Sequence, residues 1–302
     1  MPTCGPPVHA ESMWLGLQRN LLAVCVGAAS AAVLLWGLHR IERWASRRVA
    51  QRLGWRGVLA TAWLGVPLHE LGHLGAAWLF RHRLVDWRLF APDPASGTLG
   101  YVRHAHRRRT WWQMTGYFFV GLAPLVTAHG ALALLAWWML PAGGVADLGQ
   151  RLGALAHAGA AAQPDAAIRR AAALVYVTGA AVWRHADLWL PLQLYLGVCI
   201  VAHMVPSRAD LARARTGALH AMIGLILLAG AASLAEIDLV GPTAAWLTLA
   251  AFSTAASAGV LGGYAGAVRW LTGRKQPGGM VLGASRTEAA AARGDSGAAA
   301  RR

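Results

Sequence analysis

Residues 57 to 80 read GVLATAWLGVPLHELGHLGAAWLF, an apolar stretch without a lysine or an arginine. A helix rises about 1.5 Å per residue, so a stretch of this length spans the roughly 30 Å of hydrocarbon in a bilayer. The stretch therefore predicts a transmembrane helix. Three ionisable side chains nevertheless lie inside it, at His69, Glu70 and His73.

Five more apolar stretches are long enough, or nearly long enough, to cross a membrane. They cover residues 21 to 38, 112 to 140, 187 to 205, 216 to 235 and 243 to 270. Of the 302 residues, 56% are hydrophobic, 14% are charged and 15 are tryptophan, a composition typical of integral membrane proteins. The sequence thus predicts an all-α polytopic membrane protein with about six transmembrane helices.

A small β-hairpin is predicted at the membrane surface, between the second and third spans. Residues 84 to 90 and 98 to 102 are rich in strand-forming side chains, and the turn sequence PDPASG separates them at 92 to 97. Residues 171 to 184 are also apolar but too short to cross, so they predict an interfacial or re-entrant helix.

These patterns divide the chain into four regions. They are a first span with a basic interfacial segment (1 to 56), a core that carries the ionisable side chains (57 to 215), two C-terminal spans (216 to 271) and a disordered basic tail (272 to 302).

The formal net charge of +15 is explained by membrane topology and predicts no nucleic-acid partner, because the arginines flank apolar stretches. Seven arginines lie in the loop 81 to 110, and seven basic residues lie from 269 onward. Basic loops stay in the cytosol, so we expect a multi-pass protein of a bacterial-type inner membrane with a cytosolic C-terminus. The six arginines of 39 to 56 would then face outward, unless that segment is an amphipathic helix along the interface.

His69 and His73 are four residues apart, so on a helix their imidazoles project from one face and can bind a single tetrahedral zinc ion. Glu70 lies beside them, where a carboxylate can take a proton from a zinc-bound water. Ionisable side chains inside an apolar span are costly unless they are paired, hydrated or bound to an ion. No Cys-x-x-Cys pairing exists among the three cysteines, so the ligands would be histidine and carboxylate.

A third zinc ligand must come from another span, and Asp210 is the best candidate. It follows the fourth span just after Pro206, which ends or breaks the helix and lets a carboxylate turn back. If residues 171 to 184 do not cross, one span separates the second from the fourth, and both run in the same direction. The ends that carry the histidines and Asp210 then meet.

Other roles remain open for these side chains. Asp210 can be a solvated loop acid paired with Arg208 or Arg213. His203, His129 and Asp187 are weaker candidates for the third ligand, and each is more typical of a buried or interfacial polar residue.

Residues 57 to 215 resemble the site-2 protease family of intramembrane zinc metalloproteases. The resemblance depends on His69-Glu70-Leu71-Gly72-His73 in an apolar helix, on the hairpin that follows, and on Pro206 and Asp210 after a later span. Two positions differ from the family pattern of Asn-x-x-Pro followed by Asp-Gly: His203 stands at the Asn position and Leu211 follows Asp210.

The resemblance implies that both histidines and Asp210 bind zinc, that Glu70 activates water, and that the substrates are membrane-spanning segments of other proteins. An edge strand such as 98 to 102 would capture the unwound substrate by strand addition. Two alternatives remain. One is a zinc-binding membrane transporter or non-catalytic partner protein, and the other is a structural protein whose histidines bond between helices.

Overall fold

The computed structural model describes residues 8–106, 110–141 and 143–273. Seven helices and two strands follow one another in this part of the chain. They are α1 Val8–Leu79, β1 Arg83–Arg88, β2 Tyr101–Ala105, α2 Trp111–Met139, α3 Gly144–Ala160, α4 Pro164–Arg184, α5 Leu190–His203, α6 Arg208–Leu234 and α7 Val240–Thr272. The predicted tail lies outside the described residues from position 274 onward.

The first two predicted spans and the basic segment between them form one helical run, α1, which changes direction at Gly54. This glycine has φ 63° and ψ −157°, a backbone conformation essentially restricted to glycine. We call the parts before and after it the N-terminal arm and the C-terminal arm of α1. The segment 39 to 56 continues the first span as helix up to the kink and is not a separate element.

Four helices of the described chain are long and apolar enough to cross a membrane: α1 from Met13 onward, α2, α6 and α7. The predicted span at 187 to 205 corresponds to α5, which has only 14 residues. Six separate spans are therefore not confirmed, because two predicted spans share α1 and a third is short. The helices agree with an integral membrane protein.

The N-terminal arm of α1 runs beside α7 in the same direction. Near its start, the Asn20 side-chain oxygen accepts a 2.9 Å hydrogen bond from the Leu239 amide. Near its end, Arg52 donates a 2.6 Å hydrogen bond to the carbonyl of Gly273. The two helices thus form one side of the bundle.

The C-terminal arm of α1 and α6 both pack antiparallel to α2. At one end of the arm, the Trp112 indole donates to the Leu79 carbonyl over 3.3 Å. Farther back, Gly72 lies so close to α2 that an added Cβ would meet the Pro124 nitrogen at 3.0 Å. On α6, the His220 ring lies 5.0 Å from the Trp111 ring, centroid to centroid. The arm and α6 therefore run in the same direction.

α5 shares that direction, and α6 continues it after a break at residues 204 to 207. The Tyr195 hydroxyl accepts from the Trp63 indole over 2.9 Å, and the His203 carbonyl, at the end of α5, lies 2.7 Å from His69 Nδ1. α5 and α6 are thus two halves of a broken helix. The predicted region boundary at 215 and 216 falls inside α6.

α3 is missing from the sequence prediction, and α4 begins at Pro164 instead of at 171. The two helices are antiparallel, because Arg170 donates a hydrogen bond across the turn to the carbonyl of Ala154. Together with α2 they place three helices between α1 and α5. The contacts of Tyr195 with Trp63 and of His203 with His69 show that α5 runs parallel to the C-terminal arm of α1, as the sequence predicted.

The predicted β-hairpin is present, although its second strand begins at Tyr101 and not at 98. Its strands are antiparallel, with Arg88 opposite Tyr101 and an irregularity between Leu84 and Asp86. The segment from 98 to 100 is held to the first half of the hairpin by the Ala91 amide, which donates to the Leu99 carbonyl over 2.8 Å. The core of the helix bundle consists mainly of small and branched side chains from α1, α5 and α7.

Candidate metal site

Three predicted ligands come together at the break between α5 and α6. The Nε2 atoms of His69 and His73 lie 3.1 Å apart. One carboxylate oxygen of Asp210 lies 3.4 Å from the first of these nitrogens and the other lies 3.3 Å from the second. All three side chains offer a ligand atom within 4.8 Å of the others, so the group can hold a metal ion.

Backbone carbonyls orient both imidazoles. His69 Nδ1 lies 2.7 Å from the His203 carbonyl, and His73 Nδ1 lies 2.8 Å from the Val120 carbonyl. A carbonyl oxygen can only accept, so each Nδ1 carries a proton and each Nε2, which bears the lone pair of a neutral imidazole, faces the centre of the site. This is the arrangement that a metal-binding histidine needs.

The Val120 carbonyl is free because of a proline. In a regular helix it would accept from the amide four residues later, which here is Pro124, inside α2. Proline has no amide hydrogen, so the carbonyl is left for another donor. His73 supplies that donor across the contact between α1 and α2.

The His203 carbonyl is free because α5 ends there, and the amide that would continue the helix is used elsewhere. Ser207 N donates to Asp210 Oδ2 over 2.8 Å, while Asp210 N donates to the Ser207 hydroxyl over 3.2 Å. This capping box starts α6 and fixes the carboxylate of Asp210. The same bonds that begin α6 therefore leave a carbonyl for His69 and aim Asp210 at the histidines.

The donor set fits a small tetrahedral cation. Two imidazole nitrogens and the carboxylate of Asp210 converge, with one ligand atom from each residue, and such acceptors repel one another unless a positive charge lies between them. Bonds of about 2.0–2.1 Å to a tetrahedral ion place its ligands about 3.3 Å apart. The observed separations of 3.1, 3.3 and 3.4 Å are close to that value.

Glu70 lies beside these ligands with 8% of its surface exposed. A Cβ added to Gly100 would come within 3.0 Å of Glu70 Cγ, so the hairpin lies directly on this side chain. Glu70 makes no hydrogen bond within the described chain, and its carboxylate opens into a cavity of about 420 Å³. A buried carboxylate with an unused proton-accepting capacity therefore borders the candidate metal site.

Residues 97 to 102, which we call the edge segment, form one wall of this cavity. Gly97 ends the turn with φ 72°, Thr98 pairs with Asp93, and the last two residues belong to β2. Arg213 of α6 donates a 3.4 Å hydrogen bond to the Val102 carbonyl of this segment. The predicted capture strand, 98 to 102, therefore borders the same cavity as Glu70.

His39 and Glu42, from the N-terminal arm of α1, also line the cavity, and sequence reasoning missed both. The Glu42 carboxylate accepts a 2.7 Å hydrogen bond from Ser46. The sequence feature that could have indicated them is an acidic residue three positions after a histidine in an arginine-rich segment. Only the packing of the arm against the broken helix brings them to the site.

The contacts of Asp210 and of the weaker ligand candidates distinguish between their alternative roles. Within the described chain, the Asp210 carboxylate lies against the two histidines and forms no ion pair with Arg208 or Arg213. The weaker candidates for the third ligand all bond elsewhere: the His203 ring to Thr61, the His129 ring to Ser253, and the Asp187 carboxylate to the Trp189 amide.

A second pair of histidines fastens the hairpin to the helices. His82 Nε2 lies 2.8 Å from the Gln113 carbonyl, and its Nδ1 lies 2.7 Å from Nδ1 of His104 on β2. The carbonyl fixes the His82 proton on Nε2, so His104 donates and both rings are neutral. Burial, and secondly the nearby His82, lower the pKa of His104 from 6.5 to about 4.

Comparisons of the chain with family models, with curated proteins and with solved structures gave no match.

Proposed function

We propose that this chain is an intramembrane zinc metalloprotease that hydrolyses peptide bonds in or near the membrane-spanning segments of other proteins. The observation that carries the proposal is the convergence of His69, His73 and Asp210 beside Glu70, inside an apolar helix bundle. The resemblance of this motif set to the site-2 protease family supports the same function.

His69, His73 and Asp210 would hold the zinc ion. Two neutral imidazoles and one carboxylate are a ligand set typical of catalytic zinc, which leaves a coordination position open. Bound zinc supplies a Lewis acid that polarises a carbonyl and makes a water molecule more acidic.

Glu70 would accept a proton from a water in the cavity and then return it to the amine that leaves. Its position suits this role, because it follows His69 in the sequence and opens into the same cavity without a competing hydrogen bond. Its contact with Gly100 limits the positions that its side chain can take.

The edge segment would hold the substrate. A peptide bond inside a transmembrane helix is protected by the hydrogen bonds of that helix, so the substrate must unwind before it is cut. An unwound strand can add its backbone bonds to an edge strand such as 98 to 102. Arg213 keeps the edge segment next to α6 and the candidate ligands.

A variant of Glu70 tests the proposal. The full chain is reconstituted with zinc in liposomes that contain a library of single-span membrane peptides, and cleavage is followed by mass spectrometry. We expect Glu70→Gln to reduce the cleavage rate by about 100-fold or more, since it removes the proton acceptor. Zinc content should be unchanged, because this side chain is not among the ligands.

Two further variants are needed to interpret the result. Exposed Glu236 serves as a matched control, and Glu236→Gln should cleave as the unmodified protein does. His73→Ala should lose both zinc and cleavage. Undiminished cleavage by Glu70→Gln would contradict the proposed mechanism, and zinc flux into the liposomes without any cleavage would favour a transporter.

A further inference from the structure

We propose that a cavity at the root of the hairpin binds the phosphate group of an anionic phospholipid. This hairpin-root cavity has a volume of about 920 Å³ and lies where α1 ends and β1 begins. Its lining includes two arginines, Arg81 and Arg83, together with apolar Trp78 and Val85. It is separate from the candidate metal site, and the proposal does not depend on proteolysis.

Arg81 occupies a backbone position where glycine is the usual residue. α1 ends with the Arg81 amide donating to the Trp78 carbonyl over 2.9 Å and the His82 amide donating to the Ala77 carbonyl over 2.8 Å. This pattern requires a left-handed residue after the helix, and Arg81 has φ 56°. That conformation is disfavoured for any side chain with a Cβ. Ala162 and Glu236 end α3 and α6 with the same bonds, so this conformation fixes the position of Arg81 at the end of the helix without indicating a function.

The backbone that carries the two arginines is held from both sides. The Gln113 side chain donates a 2.7 Å hydrogen bond to the Arg81 carbonyl. His82, between the arginines, is buried and bonded to both the Gln113 carbonyl and His104. The two guanidinium groups therefore extend from a fixed base, which lowers the entropic cost of binding an anion.

No acidic side chain of the described residues forms an ion pair with Arg81 or Arg83. The nearest acid on the same strand, Asp86, accepts a 2.7 Å hydrogen bond from the Tyr101 hydroxyl and is not part of the cavity wall. Both arginines of the cavity are thus available to an external anion, and arginine forms strong, paired hydrogen bonds with phosphate.

The apolar lining residues favour a lipid over a free phosphate ion. Trp78 is 77% exposed and Val85 is 58% exposed, directly beside the basic groups and at the end of a helix long enough to cross a membrane. An acyl chain can cover these side chains while the phosphate lies between the arginines. A tryptophan at the end of a membrane-spanning helix is typical of the boundary between hydrocarbon and headgroups.

The test uses the full chain in a neutral detergent, with bound molecules counted by native mass spectrometry. Short-chain phosphatidylglycerol, short-chain phosphatidylcholine and inorganic phosphate are each titrated. We expect phosphatidylglycerol to bind most tightly. The double variant Arg81→Gly, Arg83→Gln should bind it roughly 30-fold more weakly, because it removes two basic groups from the headgroup level.

Arg81→Gly removes the backbone strain, so this variant should fold at least as well as the unmodified chain. The matched control is Arg169→Gln, Arg184→Gln on α4, which removes the same charge at exposed positions and should leave binding unchanged. Equal losses in both double variants, or equal binding of the two lipids, would overturn the proposal. Inorganic phosphate binding as tightly as phosphatidylglycerol would overturn its lipid part.

Discussion

Val120 shows how a single missing hydrogen atom shapes the candidate metal site. Its carbonyl accepts from His73 only because residue 124 is a proline. Neither residue is a metal ligand, and neither has a side chain that could titrate. Their effect comes through the backbone. The Val120 carbonyl holds Nδ1 of His73, so Nε2 faces the centre of the site.

Replacing Pro124 with alanine therefore has opposite effects on the helix and on the site. The new amide can bond to the Val120 carbonyl and compete with His73, so we expect zinc affinity to fall about 10-fold, as for other losses of a bond that orients a metal ligand. The stability of α2 should rise, because a proline inside a helix is unfavourable. Competition with a zinc-binding dye and thermal unfolding of the zinc-free protein measure the two effects.

Pro242→Ala provides the control, since this residue lies in the first turn of α7, where no helical amide partner is lost. It should leave zinc affinity unchanged. If Pro124→Ala binds zinc as tightly as the unmodified protein, the free Val120 carbonyl does not orient His73.

The candidate ligands of the site were predictable to different degrees. His69 and His73 follow from helix periodicity alone, because a spacing of four places them on one face. Asp210 required an argument about chain direction, and the structure brings it to the histidines. The roles of Val120 and His203 were not predictable from their side chains, since they act through carbonyls that become free only where a helix lacks an amide.

At the scale of elements, α1 and the broken helix differ most from the sequence prediction. Apolar stretches indicate where a helix can lie in a membrane, but they do not show whether two helices join through a kink or separate at a loop. A single glycine, Gly54, joins two predicted spans into α1. α3 was missed because its sequence, Gly144–Ala160, mixes alanine and glycine with polar residues and has no strong apolar run.

Gly54→Ala should destabilise the protein by about 1–3 kcal/mol, because alanine strongly disfavours the backbone conformation at the kink. Nothing lies within 4 Å of an added Cβ at this position, so the effect would come from the backbone and not from a clash. Unfolding by a denaturing detergent, followed by circular dichroism, measures it.

Gly37→Ala is the matched control. Gly37 lies in the helical part of the same arm, also with nothing within 4 Å of an added Cβ. Alanine should stabilise the helix there by about 0.5–1 kcal/mol. A similar effect of both substitutions would show that the conformation of Gly54 is not required.

At the scale of the whole molecule, the hairpin is a separate layer that two histidines join to the helices. Its edge segment borders the cavity with Glu70, while His82 and His104 fasten it to α1 and α2. Whatever loosens these two histidines would also loosen the wall of the cavity.

Acid should loosen the hairpin. The pKa of His104 is lowered to about 4 in the folded protein, so the folded state resists a proton that the unfolded state takes up near pH 6.5. The neutral pair therefore contributes its full stability above about pH 6.5, and this contribution is lost as the pH falls toward 4, by at most about 3 kcal/mol. Hydrogen exchange of the β2 amides at pH 7, 5 and 4 measures the loss, after correction for intrinsic exchange rates.

His104→Gln should largely remove the pH dependence of hydrogen exchange in β2. His157→Gln, which changes an exposed histidine on α3, should keep it. Equal protection of β2 at pH 7 and pH 4 in the unmodified protein would contradict the role of the histidine pair.

The shortness of α5 affects where the candidate site lies relative to water. Its 14 residues extend about 21 Å, less than the roughly 30 Å of hydrocarbon that a membrane presents. Because α6 continues α5 in the same direction, we expect the two halves to cross the hydrocarbon together, with the break between them part-way across. Under the proposed function, the water that an intramembrane hydrolase needs would have to reach this depth, and the cavity of about 420 Å³ beside the break would hold it.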